Sequence, residues 1–380
     1  MPHPPPSDPL AAVVDPDPYP YYAALRRDAA VHRDERLGLW IVVGAAAVEE
    51  AFAAPQCRVR PPAEPVPRFL IGSAAGRVFA SLARMNDAPR HASQRARVGT
   101  LLDRFDSRRW SEAALASARC DDAERWRVDR DVDALDRLVR WLPTFTVGAV
   151  LGVPPADRAA IADCTARWVA GLAAQADASQ RSGAVEAMDA LLDLLRGCGV
   201  TEADDAAGHV ALLMQPHEAT AGLIGAGLLR LALDPALRAA ALDGRLDWQR
   251  FGTELLRHDP PIQNTRRSLA GAARIDGHAM TEGDTLLLVL AAAERDPARH
   301  PEPDAFRLDR GALPALGLGA GVHRCPGGAH ALALAGAAWR ALTAGVSADA
   351  LAGLAERVTW RPSVNARLPI FGPLAAEGLR

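Results

Sequence analysis

The chain has 380 residues and a mass of 40.2 kDa; 49% of them are hydrophobic and 23% charged. These values lie in the globular range and exclude a disordered, collagenous or disulfide-scaffold chain. A net charge of −3, a pI of about 6.4 and the lack of any basic run give no signal for a nucleic-acid or polyanion partner.

All 43 basic residues are arginine. The five cysteines, Cys57, Cys120, Cys164, Cys198 and Cys325, are an odd set with no pair at CxxC spacing. That argues against a zinc ribbon or a disulfide framework and suits a reducing cytosol. The start, Met-Pro-His-Pro-Pro-Pro, has no apolar core of a signal peptide. The longest apolar runs, such as residues 286–293, fall well short of the ~20 needed to cross a bilayer. A soluble, cytoplasmic protein that contacts no membrane is expected.

In chain order, residues 1–20 are Pro-rich and are expected to lie extended over the surface. A helix over 22–28 precedes two short strands, 31–32 and 39–43, which form a hairpin around 34–38. Five prolines within 55–72 predict a long loop. From 89 to 199 the pattern is helical, with breaks at 106–107, Pro143 and Pro154–Pro155. Thr201-Glu-Ala-Asp204 has the form of a capping box that opens a helix to about 233. Its middle is apolar on all sides, as a buried central helix requires. Another helix covers 248–258 and stops at Pro260–Pro261. Alternation with Gly277 and Gly283 predicts short strands in 265–290, and a Gly-rich loop at 317–321 leads into a helix from about 326 to 344. The fold class that follows is mainly α with a small β component, in one domain spanning 1–380.

The chemistry is densest in Gly317-Leu-Gly-Ala-Gly-Val-His-Arg-Cys-Pro-Gly-Gly328. Glycines ahead of a cysteine permit tight turns and close approach to a flat ligand. A cysteine at a helix N-terminus meets unpaired N–H groups that favour the thiolate. An anionic sulfur held by amide donors is what iron porphyrin requires. Gly319-x-Gly321-x-His323-x-Cys325-x-Gly327 resembles the haem-binding signature of the cytochrome P450 family, with Leu318 in place of the leading aromatic. Glu254-Leu-Leu-Arg257 resembles the family's ExxR pair, buried behind the haem. His91-x-x-x-Arg95, just after Asp87-Ala-Pro89, is similar to the helix that contacts haem propionates. Arg267 resembles the strand arginine that faces a propionate. The resemblance extends along nearly the whole chain. It implies the cytochrome P450 fold, haem b (iron protoporphyrin IX) with Cys325 as its thiolate ligand, and His91, Arg95, Arg267 and His323 as propionate donors, with Leu318, Gly319 and Gly327 shaping the loop.

Four departures from the family pattern stand out. Met214-Gln-Pro-His-Glu-Ala-Thr220 looks like the oxygen-activating segment, with Glu218 at the acid, but Ala219 at the alcohol position and the hydroxyl moved on to Thr220. Successive helix residues point about 100° apart, so Thr220 cannot simply stand in. Pro216, where glycine is usual, removes a helix hydrogen bond to Leu212 and predicts a kink. Pro326 lacks the N–H that the residue after the ligand commonly offers to sulfur; alternatively it suits a first helical position. Ala305 stands where an arginine often completes the ExxR network.

The resemblance implies a monooxygenase that takes electrons from a ferredoxin and its reductase and inserts oxygen from O2 into a small organic substrate, in bacteria commonly a natural product. The expected pocket is lined from 55–85, from the long helix including Gln215, and from Ile262, Gln263, Asn264 and Val364. Because Ala219 replaces the alcohol, a peroxide-using or non-oxygen-inserting enzyme (coupling, dehydration, rearrangement) is the alternative, followed by a non-catalytic haem protein.

Overall fold

The structure is a computed structural model that describes residues 4–118, 132–311 and 313–372; Cys120 lies outside them. The helices are α1 (Tyr19–Asp28), α2 (Ala45–Ala53), α3 (Ala74–Ala80), α4 (Arg90–Asp103), α5 (Ser107–Ala118), α6 (Val132–Val150), α7 (Pro155–Leu172), α8 (Ala178–Gly197), α9 (Ala203–Leu233), α10 (Pro235–Leu242), α11 (Trp248–His258), α12 (Leu290–Glu294), α13 (Gly328–Thr343) and α14 (Ala348–Ala352). The strands are β1 (Val31–Asp34), β2 (Leu39–Val42), β3 (Cys57–Arg58), β4 (Thr265–Leu269), β5 (Ala273–Ile275), β6 (His278–Met280), β7 (Thr285–Leu288), β8 (Thr359–Trp360) and β9 (Pro369–Ile370). This is the expected α-rich architecture with a minor sheet component.

One sheet has the order β1-β2-β7-β4-β3; β2 and β7 run parallel and its other neighbours antiparallel. The β1–β2 hairpin falls where alternation placed it, with Val31 opposite Val42. β5–β6 and β8–β9 are separate two-stranded hairpins.

α9 is the axis of the main core. Its 31 residues span about 46 Å at ~1.5 Å each. It packs against α6, α4, α13 and α11, among others. Close approach to α13 depends on Gly227, where a Cβ would lie 2.3 Å from Trp339 Cε2. The Trp339 indole N–H in turn donates to the Ile224 carbonyl at 2.9 Å. α9 thereby holds the helix that follows Cys325 at a fixed distance. Among the described residues no single helix is long and apolar enough to cross a membrane.

Several local expectations are corrected. Thr201 makes no capping box: α9 starts after Glu202, which accepts no side-chain cap bond. The capping box is instead at α8, where Asp177 and Gln180 satisfy each other's backbone N–H groups. Pro143 lies inside α6 and does not break it. The loop 55–72 contains β3 and a 3-10 turn, Arg68–Leu70. The Pro-rich start does not simply cover the surface, for Ala12 and Val13 are fully buried in a 3-10 turn. Arg367 fixes that turn by donating to the carbonyls of Val13, Asp15 and Pro16.

His217 on α9 is 3% exposed, with Nδ1 3.2 Å from Thr144 Oγ1 on α6. Burial, reinforced by the charges of Arg361 and Arg140, pushes its pKa down to about 3. The unfolded chain binds that proton near pH 6.5, so the stability His217 contributes is complete above 6.5 and is lost as pH falls toward 3. Between pH 6.5 and 5 the loss is about 2 kcal/mol. Urea unfolding at pH 7 and pH 5 should show His217→Gln losing less stability on acidification by about that amount. An identical pH dependence in variant and wild type would contradict this account.

Candidate active site

The cysteine loop is built from two 3-10 turns, Leu316–Leu318 and Gly321–His323. Gly319 (φ 72°) and Gly321 (φ 61°) occupy the left-handed region between and within them, which side chains disfavour. The loop closes on itself where the Cys325 N–H donates to the Leu318 carbonyl at 2.7 Å. Leu318 also packs over Gly328, where a Cβ would come within 2.9 Å of its Cδ1. α13 begins at Gly328 with Gly327 as its cap, so Pro326 precedes the helix and does not occupy its first position. The Gly327 N–H lies near the Cys325 sulfur and favours its thiolate. The donor that proline cannot supply therefore comes from one residue further on.

Cys325 is exposed, yet surrounding protein desolvates its thiol. Burial pushes the thiol pKa up, while the Gly327 N–H and the charges of Arg95, Arg84 and Arg324 pull the other way. A solvent-reached but desolvated sulfur lies in an interior recess, not on the outer surface. Among the described residues no group of three or more His, Cys, Asp or Glu could hold a metal ion. A metal at Cys325 would thus draw at most two such ligands from the described residues.

Two buried carboxylates hold this loop from behind. Glu294, fully buried at the end of α12, accepts through Oε1 from the Leu316 N–H and, at 3.3 Å, from the Gly317 N–H. Its Oε2 lies 3.3 Å from His300 Nε2 and 4.0 Å from Arg299 Nε. Glu294 stands in the run Ala293-Glu-Arg-Asp-Pro297, and no local spacing marks it as the partner of a loop more than twenty residues away. Glu294→Ala would leave two buried donors unpaired and cost about 3 kcal/mol. A fall in urea midpoint with faster haem loss is expected; an unchanged midpoint would show that the loop does not depend on it.

The second carboxylate is Glu254 on α11, 4% exposed and paired with Arg257, 5% exposed. The pair is bidentate, Nη2–Oε1 2.6 Å and Nε–Oε2 2.9 Å. Arg257 also donates to the Pro303 and Ala305 carbonyls. The gap read at Ala305 is closed by Arg310, whose Nε donates to Glu254 Oε1 at 3.2 Å. The Arg307 N–H adds a further bond at 2.9 Å. α11 meets the loop at Gly317, where a Cβ would come within 3.0 Å of Pro260 and 3.4 Å of the Leu256 carbonyl.

On a third side the structure gathers the cationic residues singled out in the sequence. The His91 and His323 rings lie 4.3 Å apart. Burial, then His323 and Arg95, depress the His91 pKa. Arg267, 7% exposed on β4, is pushed down to about 10 by burial, against the pull of Asp87. Asp87 accepts from His323 Nε2 at 3.2 Å and from the Val59 N–H at 3.1 Å. Burial raises the Asp87 carboxyl, but these bonds outweigh it and its pKa is lowered. A single carboxylate amid His91, His323 and Arg267 shows that this donor set accommodates carboxylates, the groups through which haem b would be gripped.

Across the recess runs α9. Gln215, Glu218 and Ala219 are half-buried, whereas His217, Thr220 and Ala221 are buried. Thr220 therefore lies with His217 on the core side, and no hydroxyl stands at position 219. Helical hydrogen bonding continues on both sides of Pro216. Glu218 Oε1 is 3.9 Å from Arg361 Nη1. Arg84 joins the two sides: it donates to Gln215 Oε1 at 3.0 Å and lies within electrostatic reach of both Glu218 and Cys325.

The expected pocket amides behave differently. Gln263 (0% exposed) donates to the Pro260 carbonyl at 2.7 Å, and Asn264 (2%) to the Val364 carbonyl at 2.8 Å. Both amides are turned into backbone: Asn264 fixes the 363–366 turn through its side chain, whereas the Gln263 amide folds back onto Pro260 and only its main-chain N–H reaches that turn, at the Asn365 carbonyl. Ile262, bridged to Ala366, and Val364 remain half-buried.

Comparison with known proteins agrees with this geometry. No family profile matches the chain. It is 29% identical over 361 residues to the cytochrome P450 monooxygenase PikC of Streptomyces venezuelae, covering 86% of this chain and 83% of that one. It is 27% identical over 360 residues to a 20-oxo-5-O-mycaminosyltylactone 23-monooxygenase of Streptomyces fradiae, covering 84% and 80%. The crystal structure of CalO2 superposes with a TM-score of 0.78 at 24% identity, over 97% of this chain and 99% of that one. Over more than four-fifths of its length the chain is thus similar to bacterial cytochrome P450s, and it is an enzyme of that haem-thiolate type.

Proposed function

We propose that the enzyme takes electrons from a ferredoxin and oxygenates a small organic molecule of a bacterial natural-product pathway, with Cys325 as the thiolate. The observation that carries this is the Cys325 sulfur, beside the Gly327 N–H in a recess that faces the half-buried side of α9. Thiolate-bound haem supplies the activation of dioxygen and the transfer of one oxygen atom. This chain's residues do the rest. Gly327 steadies the sulfur, and Glu294 and the Glu254–Arg257–Arg310 network keep the loop from shifting. His91, Arg95, Arg267 and His323 would neutralise the two propionate carboxylates and so hold the haem.

Glu218 is the one carboxylate on the open side of α9 near the recess, and Arg361 holds it there. With alanine at 219, protons reach the site through water held at Glu218 Oε1 and Oε2 or through a hydroxyl on the substrate. Relatives named as monooxygenases support oxygen insertion as the reaction.

The missing hydroxyl favours a second reading, in which peroxide is the oxidant. Candidate compounds that change the haem spectrum can be turned over with ferredoxin, its reductase, NADPH and isotopically labelled dioxygen. Label from dioxygen in the product is expected, and Glu218→Gln should slow that turnover. Turnover by hydrogen peroxide alone, with none through the ferredoxin chain, would overturn the first reading in favour of the second.

A further inference from the structure

We infer that Arg84 anchors a carboxylate on the molecule that the enzyme oxidises, which makes it a specificity-determining residue; this rests on the reading of the site above. Arg84 sits in the 3-10 turn Ala83–Met85 between α3 and α4. Its side chain reaches over to α9, one turn ahead of Glu218 and Ala219, to bond Gln215. As a residue it is exposed, yet the protein around its guanidinium strips away water and lowers its pKa, against the pull of Glu218 and Cys325. Like Cys325, it therefore points into the interior recess.

The groups around Arg84 leave its charge uncompensated. Glu218 is shared with Arg361, so two arginines face one carboxylate. Asp87 is engaged by His323 and the Val59 N–H. Arg267 adds a further positive charge within range of Arg84. Beside the guanidinium, Gln215 Nε2 is buried and has no hydrogen-bond partner among the described residues.

A planar fork of N–H donors next to an amide N–H with no acceptor is complementary to a carboxylate, which accepts on both oxygens and bonds arginine most strongly in the bidentate form. A buried donor such as the Gln215 amide discriminates against a ligand that leaves it unpaired. A haem propionate is the poorer occupant, because Arg84 bonds α9 whereas His91, His323 and Arg267 already surround one carboxylate position. An anion held by Arg84 and Gln215 would lay the remainder of the substrate along Glu218 and Ala219, the open face of α9.

The test uses the holoenzyme and spectral titration with matched pairs. Octanoic to hexadecanoic acids, naphthylacetic acid and 4-phenylbutanoic acid would each be compared with the methyl ester at neutral pH. At least one acid is expected to bind about tenfold more tightly than its ester. Arg84→Gln should abolish that preference while ester affinity is kept, and Arg84→Lys should restore part of it. Esters that bind as well as acids throughout, no binding by any acid, or an acid preference that survives in Arg84→Gln would overturn the inference. If Arg84→Gln instead loses haem, and the remaining holoprotein keeps the preference, Arg84 serves a propionate and the inference fails. Wild-type protein without the thiolate–carbon monoxide band defeats the reading of the site itself, whereas protein with the band but no acid preference defeats only the anchor.

Discussion

Cys325→Ser is expected to yield a folded protein that has lost the thiolate–carbon monoxide difference band and all reductase-supported turnover. The two halves of that result have separate causes. Cys325 lies at an exposed position of a loop whose shape is fixed by backbone bonds, the positive-φ glycines and Glu294, so replacing sulfur by oxygen removes little packing. A thermal midpoint of the haem-free protein within a few degrees of wild type is expected, since at a solvent-reached position the exchange of sulfur for oxygen leaves no sealed cavity.

The electronic effect is far larger. Desolvation already opposes ionisation of the thiol, whose ordinary pKa is near 8.5. The Gly327 N–H and the arginines offset part of this, and a bound metal would displace the proton outright. A serine hydroxyl is much less acidic, and one amide donor cannot make up that difference. The electron-rich axial ligand on which dioxygen cleavage depends would be absent. Reduced carbon monoxide spectra of the two purified proteins, normalised to haem content, decide the matter. An unchanged band in Cys325→Ser would assign the ligand to another residue.

How much of this was legible in the sequence depended on how local each device is. The glycine loop, the i,i+3 pair Glu254–Arg257 and the hairpin at β1–β2 are each specified within a few residues, and all three lie where they were read. Glu294, Arg310 and Arg84 are not local in this sense. Each is an ordinary charged residue whose partner lies elsewhere along the chain: Leu316 for Glu294, Glu254 for Arg310 and Gln215 for Arg84. The same limit explains the misplaced pocket amides. Gln263 and Asn264 read as pocket amides because nothing local shows that their side chains turn to backbone, Gln263 to Pro260 and Asn264 to Val364 a hundred residues away. Thr201 failed as a cap because the first turn of α9 starts two residues later, with Asp204 and Asp205 already inside the helix. Pro143 was tolerated because α6 is buried along one side, where tertiary packing outweighs a lost hydrogen bond.

The network behind the haem supplies the other large expected effect. An i,i+3 Glu–Arg pair on a helix surface stabilises by only ~0.2–0.5 kcal/mol. Here both partners are at most 5% exposed, and Glu254 Oε1 alone receives Arg257, Arg310 and the Arg307 N–H. Glu254→Ala would strand two guanidinium groups in the interior together with one backbone donor. Removal of one partner from a buried pair typically costs 3–5 kcal/mol, because the remaining charge cannot regain its water. A loss of about 4 kcal/mol in urea unfolding is expected, with little haem retained, because Arg257 also fixes the 303–305 segment through two carbonyls. Glu254→Gln keeps one acceptor and should lie between. The double variant Glu254→Leu, Arg257→Leu separates charge from packing. It should regain part of the loss, since two apolar groups need no solvent, but not all of it, since Arg310 still lacks a carboxylate and the Pro303 carbonyl lacks its donor. If Glu254→Ala unfolds within about 0.5 kcal/mol of wild type, the pair behaves as a surface contact and cannot be what positions the cysteine loop.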